Sequence, residues 1–341
     1  MSLILGQEKA ITAFRAAMQS GRLHHAWLLT GPEGVGKFTT ALQCARRLLA
    51  EGAGLSPDTP GLDVPFSNPV ARLLEAGSHP DFVRIERLPS DDKLAAKPPV
   101  DWPADAERAR SIKVGQIRDL NGLFATKPSL SARRVVVIDD ADALEISAAN
   151  ALLKRLEEPP PGTIFLLVAQ SAGRLLPTIR SRCRVLRFDP LSPAQLQAVL
   201  QAHLPDAASA ELAALVQIGA GSPGRALRFA GLDMAALDSV LDRLLREGDA
   251  GSGLRLALAA QLSGKAAQPR YEAFLQRVPA FLAEAARQRQ GDALGQALIQ
   301  WENARKLAGQ AISTSLDVQN TVFSLASMVA ALAPGGTSAK A

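Results

Sequence analysis

Residues 26–39, AWLLTGPEGVGKFT, decide the fold of this chain. The first five are an apolar run of strand length, and residues 31–39 follow the GxxxxGK pattern of a phosphate-binding loop. Apolar residues then recur at helical spacing over residues 42–49. Small loop residues let backbone N–H groups turn inward around a phosphate, and the helix N-terminus adds partial positive charge. This order of strand, loop and helix predicts an α/β domain with a P-loop.

Residues of the loop are candidates for contacts with a nucleotide, namely Gly31, Gly34, Gly36, Lys37 and Thr39. Lys37 would reach the outer phosphates. The next position normally holds a Ser or Thr whose hydroxyl binds Mg²⁺, but here it is Phe38, and a phenyl ring cannot be a metal ligand. Thr39 comes one residue later, about 100° further around a regular helix. We therefore expect weak binding of ATP or ADP at most, no efficient hydrolysis and no required cofactor.

Two carboxylates form the second half of the candidate nucleotide site. Asp139 and Asp140 directly follow another apolar run, residues 135–138. Asp139 stands where the magnesium-associated acid is expected, and Asp140 where the acid that activates water is expected. The usual second acid is Glu, and a positioning error of about 1 Å, such as one missing methylene could cause, can slow a reaction about 100-fold. A polar strand end that caps the next helix explains these two residues less well.

Strand-length apolar runs alternate with helical patterns through the first 190 residues. Residues 26–30, 135–138 and 164–169 are typical of buried parallel strands, and residues 82–85 and 184–188 are weaker candidates. Because helical spacing appears between the runs, we expect a parallel sheet that helices cover.

The remaining segments are an insertion and a helical C-terminal part. Residues 86–110 hold four prolines among charged residues, which predicts a surface insertion. From Ser192-Pro193 onward only helical patterns remain. Apolar stripes at residues 294–301 and 318–332 need partners, but periodicity alone does not decide between a self-contained bundle and an assembly surface.

The composition excludes several classes of protein. Cys44 and Cys183 lie in separate segments with no CxxC pair, so neither a disulfide framework nor a zinc site is predicted. The start of the chain shows no signal peptide and no long apolar run, which predicts a cytoplasmic protein. The net charge of +5 is mild for 341 residues. Five arginines crowd residues 174–187 with no acid between them, and they face either phosphate or solvent.

Residues 139–160, DDADALEISAANALLKRLEEPP, resemble the signature shared by the clamp-loader subunits of bacterial DNA polymerase III and their eukaryotic relatives. Further similar elements occur in the family's order across residues 20–230, namely His24-His25-Ala26, Gly77 to Asp81, Ile112 to Leu120, Ser181-Arg182-Cys183 and Gly221 to Gly224. The resemblance implies an AAA+ P-loop parallel-sheet domain at residues 1–190 and a small helical lid at 191–232. It also implies an all-α collar for ring assembly at 233–332. The small and polar residues 333–341, APGGTSAKA, independently predict a floppy tail.

Within this family, the altered P-loop and the His-Pro-Asp element resemble the delta-prime subunits rather than the motor subunits gamma and tau. Motor subunits carry an arginine fourth in a Gly-Ser-x-Arg sequence, whereas here Gly224 holds that place and Arg225 follows it. Many relatives also carry a four-cysteine zinc module before the His-Pro-Asp element. Because residues 51–78 contain no cysteine, we expect no zinc.

The resemblance implies a role inside an assembly, without a complete active site in this chain. In the family, the arginine of Ser-Arg-Cys is presented to ATP on a neighbouring motor subunit, so Arg182 is the candidate arginine finger, acting in trans. The implied partners are the gamma/tau and delta subunits, and through them the sliding clamp and primer-template DNA, within the DNA polymerase III holoenzyme, a DNA-directed DNA polymerase.

Two other functions stay open at this point. An autonomous AAA+ ATPase acting on DNA would require Phe38 to be tolerated and Asp140 to act as a working base. A stand-alone DNA-binding protein is disfavoured by the mild net charge and by the lack of a helix-turn-helix or basic-aromatic pattern.

Overall fold

A computed structural model describes residues 5–56, 61–103, 106–311 and 314–334 of the chain. The chain divides into two compact units, Met1–Ser192 and Pro193–Ala341. The division of the second unit into lid and collar stays a prediction. Residues 335–341 of the predicted tail lie outside the described residues.

The first unit is built on a parallel sheet of five strands. In chain order they are β1 Ala26–Thr30, β2 Phe82–Ile85, β3 Arg134–Ile138, β4 Thr163–Ala169 and β5 Arg184–Arg187. Every pairing is parallel, and the order across the sheet is β2-β3-β4-β1-β5. Strand β4 therefore lies between β1, which leads into the P-loop, and β3, which leads into the two carboxylates.

Helices pack against this sheet, as the alternating sequence pattern predicted. The helices of this unit are α1 Glu8–Gln19, α2 Lys37–Gly52, α3 Pro69–Glu75, α4 Asp92–Ala95, α5 Val114–Phe124, α6 Ile146–Glu157 and α7 Pro177–Arg180. Alternate residues of β1, β3 and β4 pack with apolar residues of α5 and α6, whereas α2 contacts the same strands. β1, β3 and β4 are buried throughout, which explains why they read as continuous apolar runs.

The segment at residues 86–110 contains the short helix α4 and closes on itself through backbone hydrogen bonds. The N–H of Ser90 donates to Glu107 at 2.8 Å, and the N–H of Ala109 donates to Leu88 at 2.8 Å. Trp102 stacks against the guanidinium of Arg108, whose central carbon lies 4.8 Å from the ring centre. The indole therefore makes a contact within the segment that stabilises its fold.

The second unit is helical throughout its described residues. The helices are α8 Pro193–His203, α9 Ser209–Gly219, α10 Pro223–Arg228, α11 Met234–Glu247, α12 Gly253–Gln261, α13 Gln268–Arg287, α14 Gly291–Ala311 and α15 Val318–Ala330. Of the two predicted stripes, the one on α15 is buried at Val322, Leu325 and Val329. On α14 small alanines are buried instead, while Leu298 and Ile299 are exposed. Within the described residues, no helix has the length and apolar character needed to cross a membrane.

Candidate functional site

The P-loop joins β1 to α2, and its backbone favours glycine at three positions. Gly31 lies against the end of β5, where a Cβ atom would come 2.3 Å from the carbonyl oxygen of Phe188. Gly36 precedes α2 with a φ of 103°, which residues with side chains rarely adopt. Gly34 lies between them, with a φ of 74°. The close approach to β5 and the left-handed turn explain why the loop is rich in glycine.

Lys37 opens α2, and the loop itself binds its ammonium group. Nζ donates to the carbonyl oxygens of Gly31 at 2.7 Å and Pro32 at 2.6 Å, and the side chain is buried. Burial lowers the pKa of Lys37, and nearby carboxylates, Asp139 first among them, oppose that shift. A phosphate in the loop would therefore compete with two carbonyl oxygens for this group.

An arginine from β2 covers Phe38, the residue that replaces the metal-binding hydroxyl. The guanidinium carbon of Arg84 lies 4.2 Å from the centre of the Phe38 ring, within the range of a cation–π interaction. The same guanidinium donates to Glu86 at 2.8 Å and lies 3.9 Å from Asp139. No motif of the sequence gives Arg84 a role, although a charge inside the otherwise apolar run at residues 82–85 was a usable signal. A cation of the chain therefore lies beside both Phe38 and Asp139.

Asp139 and Asp140 follow β3, and both interact with groups of this chain. Burial raises the pKa of Asp139, the neighbouring Asp140 adds to the rise, and Oδ1 accepts from the N–H of Asp140 at 3.0 Å. Asp140 has a left-handed φ of 57°. Its Oδ2 accepts from Nε of Arg87 at 2.8 Å and lies 2.7 Å from Nη2. The carboxylate predicted to activate water is therefore engaged in an ion pair.

We call Lys37, Phe38, Arg84, Asp139 and Asp140 the P-loop corner. The structure brings the two halves of the predicted nucleotide site together there, since Lys37 and Asp139 interact electrostatically. Thr39 is half-buried in the first turn of α2. Mg²⁺ needs oxygen ligands in near-octahedral geometry. Because Phe38 offers no oxygen and the Arg84 guanidinium lies both over its ring and 3.9 Å from Asp139, the residues present do not fit Mg²⁺.

Arg182 lies elsewhere in this unit, between α7 and β5. Its Nη2 is 2.8 Å from Oε1 of Glu157, and its Nη1 donates to the carbonyl oxygen of Thr178 at 3.0 Å and to Oγ of Ser181 at 3.4 Å. About a third of the Arg182 side chain is exposed. We call these four residues the finger junction. Glu157 is the last residue of α6 and belongs to the Leu-Glu-Glu-Pro-Pro part of the family signature.

The other arginines of the 174–187 cluster differ from Arg182. Arg184 stacks on Trp27, with 5.3 Å between the guanidinium carbon and the ring centre. Arg174, Arg180 and Arg187 are exposed. The cluster is therefore not one uniform basic face, and Arg182 is distinguished by its pairing with a signature residue.

The His-Pro-Asp element has a structural explanation. The buried carboxylate of Asp81 accepts hydrogen bonds from the backbone N–H groups of Ser129, Leu130 and Ser131, at 2.8 Å, 2.8 Å and 3.0 Å. Nδ1 of His79 accepts from the N–H of Asp81 at 3.1 Å. The element therefore fixes the loop that leads into β3, the strand that Asp139 follows.

Comparison with known proteins places the chain in a family. A family model described as DNA polymerase III, delta subunit matches residues 6–192. The DNA polymerase III subunit delta' of Pseudomonas aeruginosa is 37% identical over 212 residues, which are 61% of this chain and 56% of that protein. The DNA polymerase III subunit gamma of Buchnera aphidicola subsp. Schizaphis graminum is 32% identical over 190 residues, or 55% of this chain and 45% of that protein. The chain thus spans about half the length of the curated relatives it matches.

A solved structure of a DNA polymerase III gamma subunit-related protein from Thermotoga maritima is similar over 94% of this chain and 98% of its own. The sequence identity is 17% and the TM-score is 0.43. The family match includes every residue of the P-loop corner and of the finger junction and covers more than half of the 341 residues. The chain therefore belongs to the DNA polymerase III, delta subunit family, a clamp-loader family.

Proposed function

We propose that this chain is the non-motor, delta-prime-type subunit of a DNA polymerase III clamp loader. It helps to load the sliding clamp onto primed DNA and supplies Arg182 as an arginine finger to ATP on a neighbouring motor subunit. The observation that carries the proposal is Arg84 over Phe38 and beside Asp139, because this arrangement leaves no place for the metal that a motor site requires.

The P-loop corner supports a scaffold role for the chain's own nucleotide fold. Lys37 is bound by loop carbonyls and Asp140 by Arg87, so the groups that would hold phosphate and water already have partners. In this proposal the chain needs no cofactor and no zinc, and it binds ATP or ADP weakly at most.

The finger junction supports a role in trans. A guanidinium stays charged at any working pH, and its planar fork of donors suits phosphate oxygens. The pair of Arg182 with Glu157 is partly exposed on both sides, so a phosphate on a neighbouring subunit has access to the cation. Such fingers stabilise the charge that develops on a transferred phosphoryl group.

The proposed assembly follows from this division of labour. The chain works in the cytoplasm within the DNA polymerase III holoenzyme, beside gamma/tau and delta subunits. It acts on the sliding clamp and primer-template DNA through the assembly. Residues 233–332 form the collar that holds the ring, and the exposed Leu298 and Ile299 of α14 are available to partner helices.

The test is ATP turnover by the reconstituted loader carrying Arg182→Ala. We expect assembly to be intact by gel filtration, while hydrolysis stimulated by clamp and primed DNA falls because one motor site loses its finger. Arg174→Ala and Arg187→Ala are matched controls, since both side chains are exposed arginines of the same cluster. Equal losses from all three variants, or no loss from Arg182→Ala, would contradict the proposal.

A further inference from the structure

Two motifs that are separate in the sequence meet at the finger junction. Glu157 comes from the Leu-Glu-Glu-Pro-Pro segment and Arg182 from Ser-Arg-Cys, and their side chains are 2.8 Å apart. The next residue, Glu158, is also exposed. The signature therefore supplies two adjacent acids, and the ion pair with Arg182 is made by the first.

The position of Glu157 in α6 calls for a partner. It is the last residue of the helix, where the unpaired carbonyl groups give the helix end a partial negative charge. A carboxylate at a helix C-terminus is unfavourable for that reason, and a cation beside it offsets the cost. The helix alone therefore does not explain why an acid stands there, whereas the guanidinium of Arg182 does.

The contacts of Arg182 fix the plane of its guanidinium without using all its donors. The bonds to Glu157, Thr178 and Ser181 need no more than three N–H groups, and a guanidinium carries five. The remaining donors are available to phosphoryl oxygens while Glu157 stays in place. Since the pair is partly exposed, it contributes little to the free energy of folding. Its main effect is therefore to orient the Arg182 guanidinium.

We propose that Glu157 is a positioning residue for Arg182. It holds the guanidinium in one orientation before the neighbouring ATP arrives and keeps it there during phosphoryl transfer. This inference rests on the proposed function, in which Arg182 acts in trans. A positioning role affects kcat rather than KM, because Glu157 itself does not touch the nucleotide in this arrangement.

The experiment measures stimulated ATP turnover of the reconstituted loader, per complex isolated by gel filtration, for Glu157→Gln and for Glu158→Gln as the matched control. Glutamine keeps the size of the side chain and removes the charge. We expect Glu157→Gln to lower kcat by at least about threefold with an unchanged KM for ATP, below the roughly 100-fold that a 1 Å misplacement can cause. Glu158→Gln should behave as the unmodified protein.

A double-variant cycle separates this inference from the proposed function. In the Arg182→Ala background, Glu157→Gln should cause no further loss, because no finger is left to orient. If Arg182→Ala alone changes nothing, the proposed function fails. If Arg182→Ala lowers turnover but Glu157→Gln does not, or if their losses simply multiply, the positioning role is overturned. Failure of Glu157→Gln to assemble would assign Glu157 to an interface and overturn it as well.

Discussion

The P-loop corner and the finger junction both combine arginine with carboxylate, yet they hold their cations differently. In the corner, Lys37 is buried and bound by carbonyl oxygens, and Arg84 lies between a ring and two acids. At the junction, Arg182 forms one ion pair that solvent reaches from both sides. Displacing a buried, well-bonded cation leaves the groups around it without a partner, whereas the partly exposed Arg182 keeps donors available for an additional partner. The same parallel sheet thus carries one cation that is buried among groups of its own chain and another that solvent reaches.

The largest expected effect comes from Arg182→Lys at the finger junction. The positive charge is kept, but a compact, strongly hydrated ammonium lacks the planar fork that pairs with Glu157 and phosphate together. Fingers contribute about 10³ to 10⁵ in rate at their site, so we expect lysine to lose at least about 10-fold there. Pre-steady-state hydrolysis by the assembled loader measures this, with Arg187→Lys as the control. Full activity in Arg182→Lys would mean that charge alone is sufficient.

The next prediction concerns the closure of the P-loop corner. Phe38→Thr restores a hydroxyl, but Arg84 still lies beside Asp139, so we expect Mg²⁺-dependent binding of ADP to stay weak. The double variant Phe38→Thr with Arg84→Gln removes both obstacles. It should bind ADP with Mg²⁺ about 10-fold more tightly than the unmodified chain does, a gain of about 1.4 kcal/mol in binding free energy.

Titration of the isolated chain with a fluorescent ADP analogue, with Mg²⁺ or with EDTA, checks this prediction. Phe38→Thr with Arg87→Gln is the matched control, since Arg87 pairs with Asp140 rather than lying over the ring. An equal gain from Phe38→Thr alone would show that Arg84 does not close the site.

The fold of this unit was predictable because its signals are local. Apolar runs marked β1, β3 and β4, and the glycine pattern marked the P-loop, since each depends on neighbours in the sequence. The position of Arg84 over Phe38 was not predictable from the sequence, because it depends on how β2 is placed in the sheet. The pattern of α14 also failed to show that its alanines are buried and Leu298 is not, since helical spacing alone does not select the packed face.

The functional residues divide in the same way. Lys37, Asp139 and Arg182 are candidates that their motifs predict, whereas the side chains that contact Asp139 and Arg182, namely Arg84 and Glu157, come from distant segments. Glu157 belongs to the family signature, yet nothing in the sequence links it to Arg182. Pairings of this kind follow from tertiary packing and leave no trace in spacing.

A third prediction concerns how the stability of the chain depends on pH through His25, which lies next to the finger junction. Nε2 of His25 lies 3.0 Å from the carbonyl oxygen of Leu156, next to Glu157, and burial lowers the pKa of His25 from its ordinary 6.5. The unfolded chain then binds more protons than the folded chain below about pH 6.5, so stability falls as the pH drops through that range.

Urea unfolding of the isolated chain at a series of pH values measures this effect. One histidine contributes at most about 1.4 kcal/mol per pH unit. His79, whose pKa burial also lowers, contributes in the same direction, so His25→Gln should reduce the slope without abolishing it. A slope in His25→Gln equal to that of the unmodified chain would exclude His25 as a source.

The smallest effect is expected from Asp139→Asn. This substitution tests whether the carboxylate of Asp139 lowers the stability of the folded chain. Burial and the neighbouring Asp140 raise the pKa of Asp139, which means that the folded chain disfavours its ionised form. At the acidic pH where this carboxyl group titrates, the folded chain therefore binds more protons than the unfolded chain. At neutral pH, where the group must be ionised, it opposes folding. A neutral amide of the same size should raise the free energy of unfolding by a few tenths of a kcal/mol, up to about 1 kcal/mol.

Asp140→Asn is the control, because it removes the partner of Arg87 and should be neutral or slightly destabilising. The midpoint of urea unfolding at about pH 7 reads out both variants. A loss of stability in Asp139→Asn would show that its attraction to Arg84 and Lys37 exceeds the cost of burial, and the corner would then be held together by its acid rather than in spite of it.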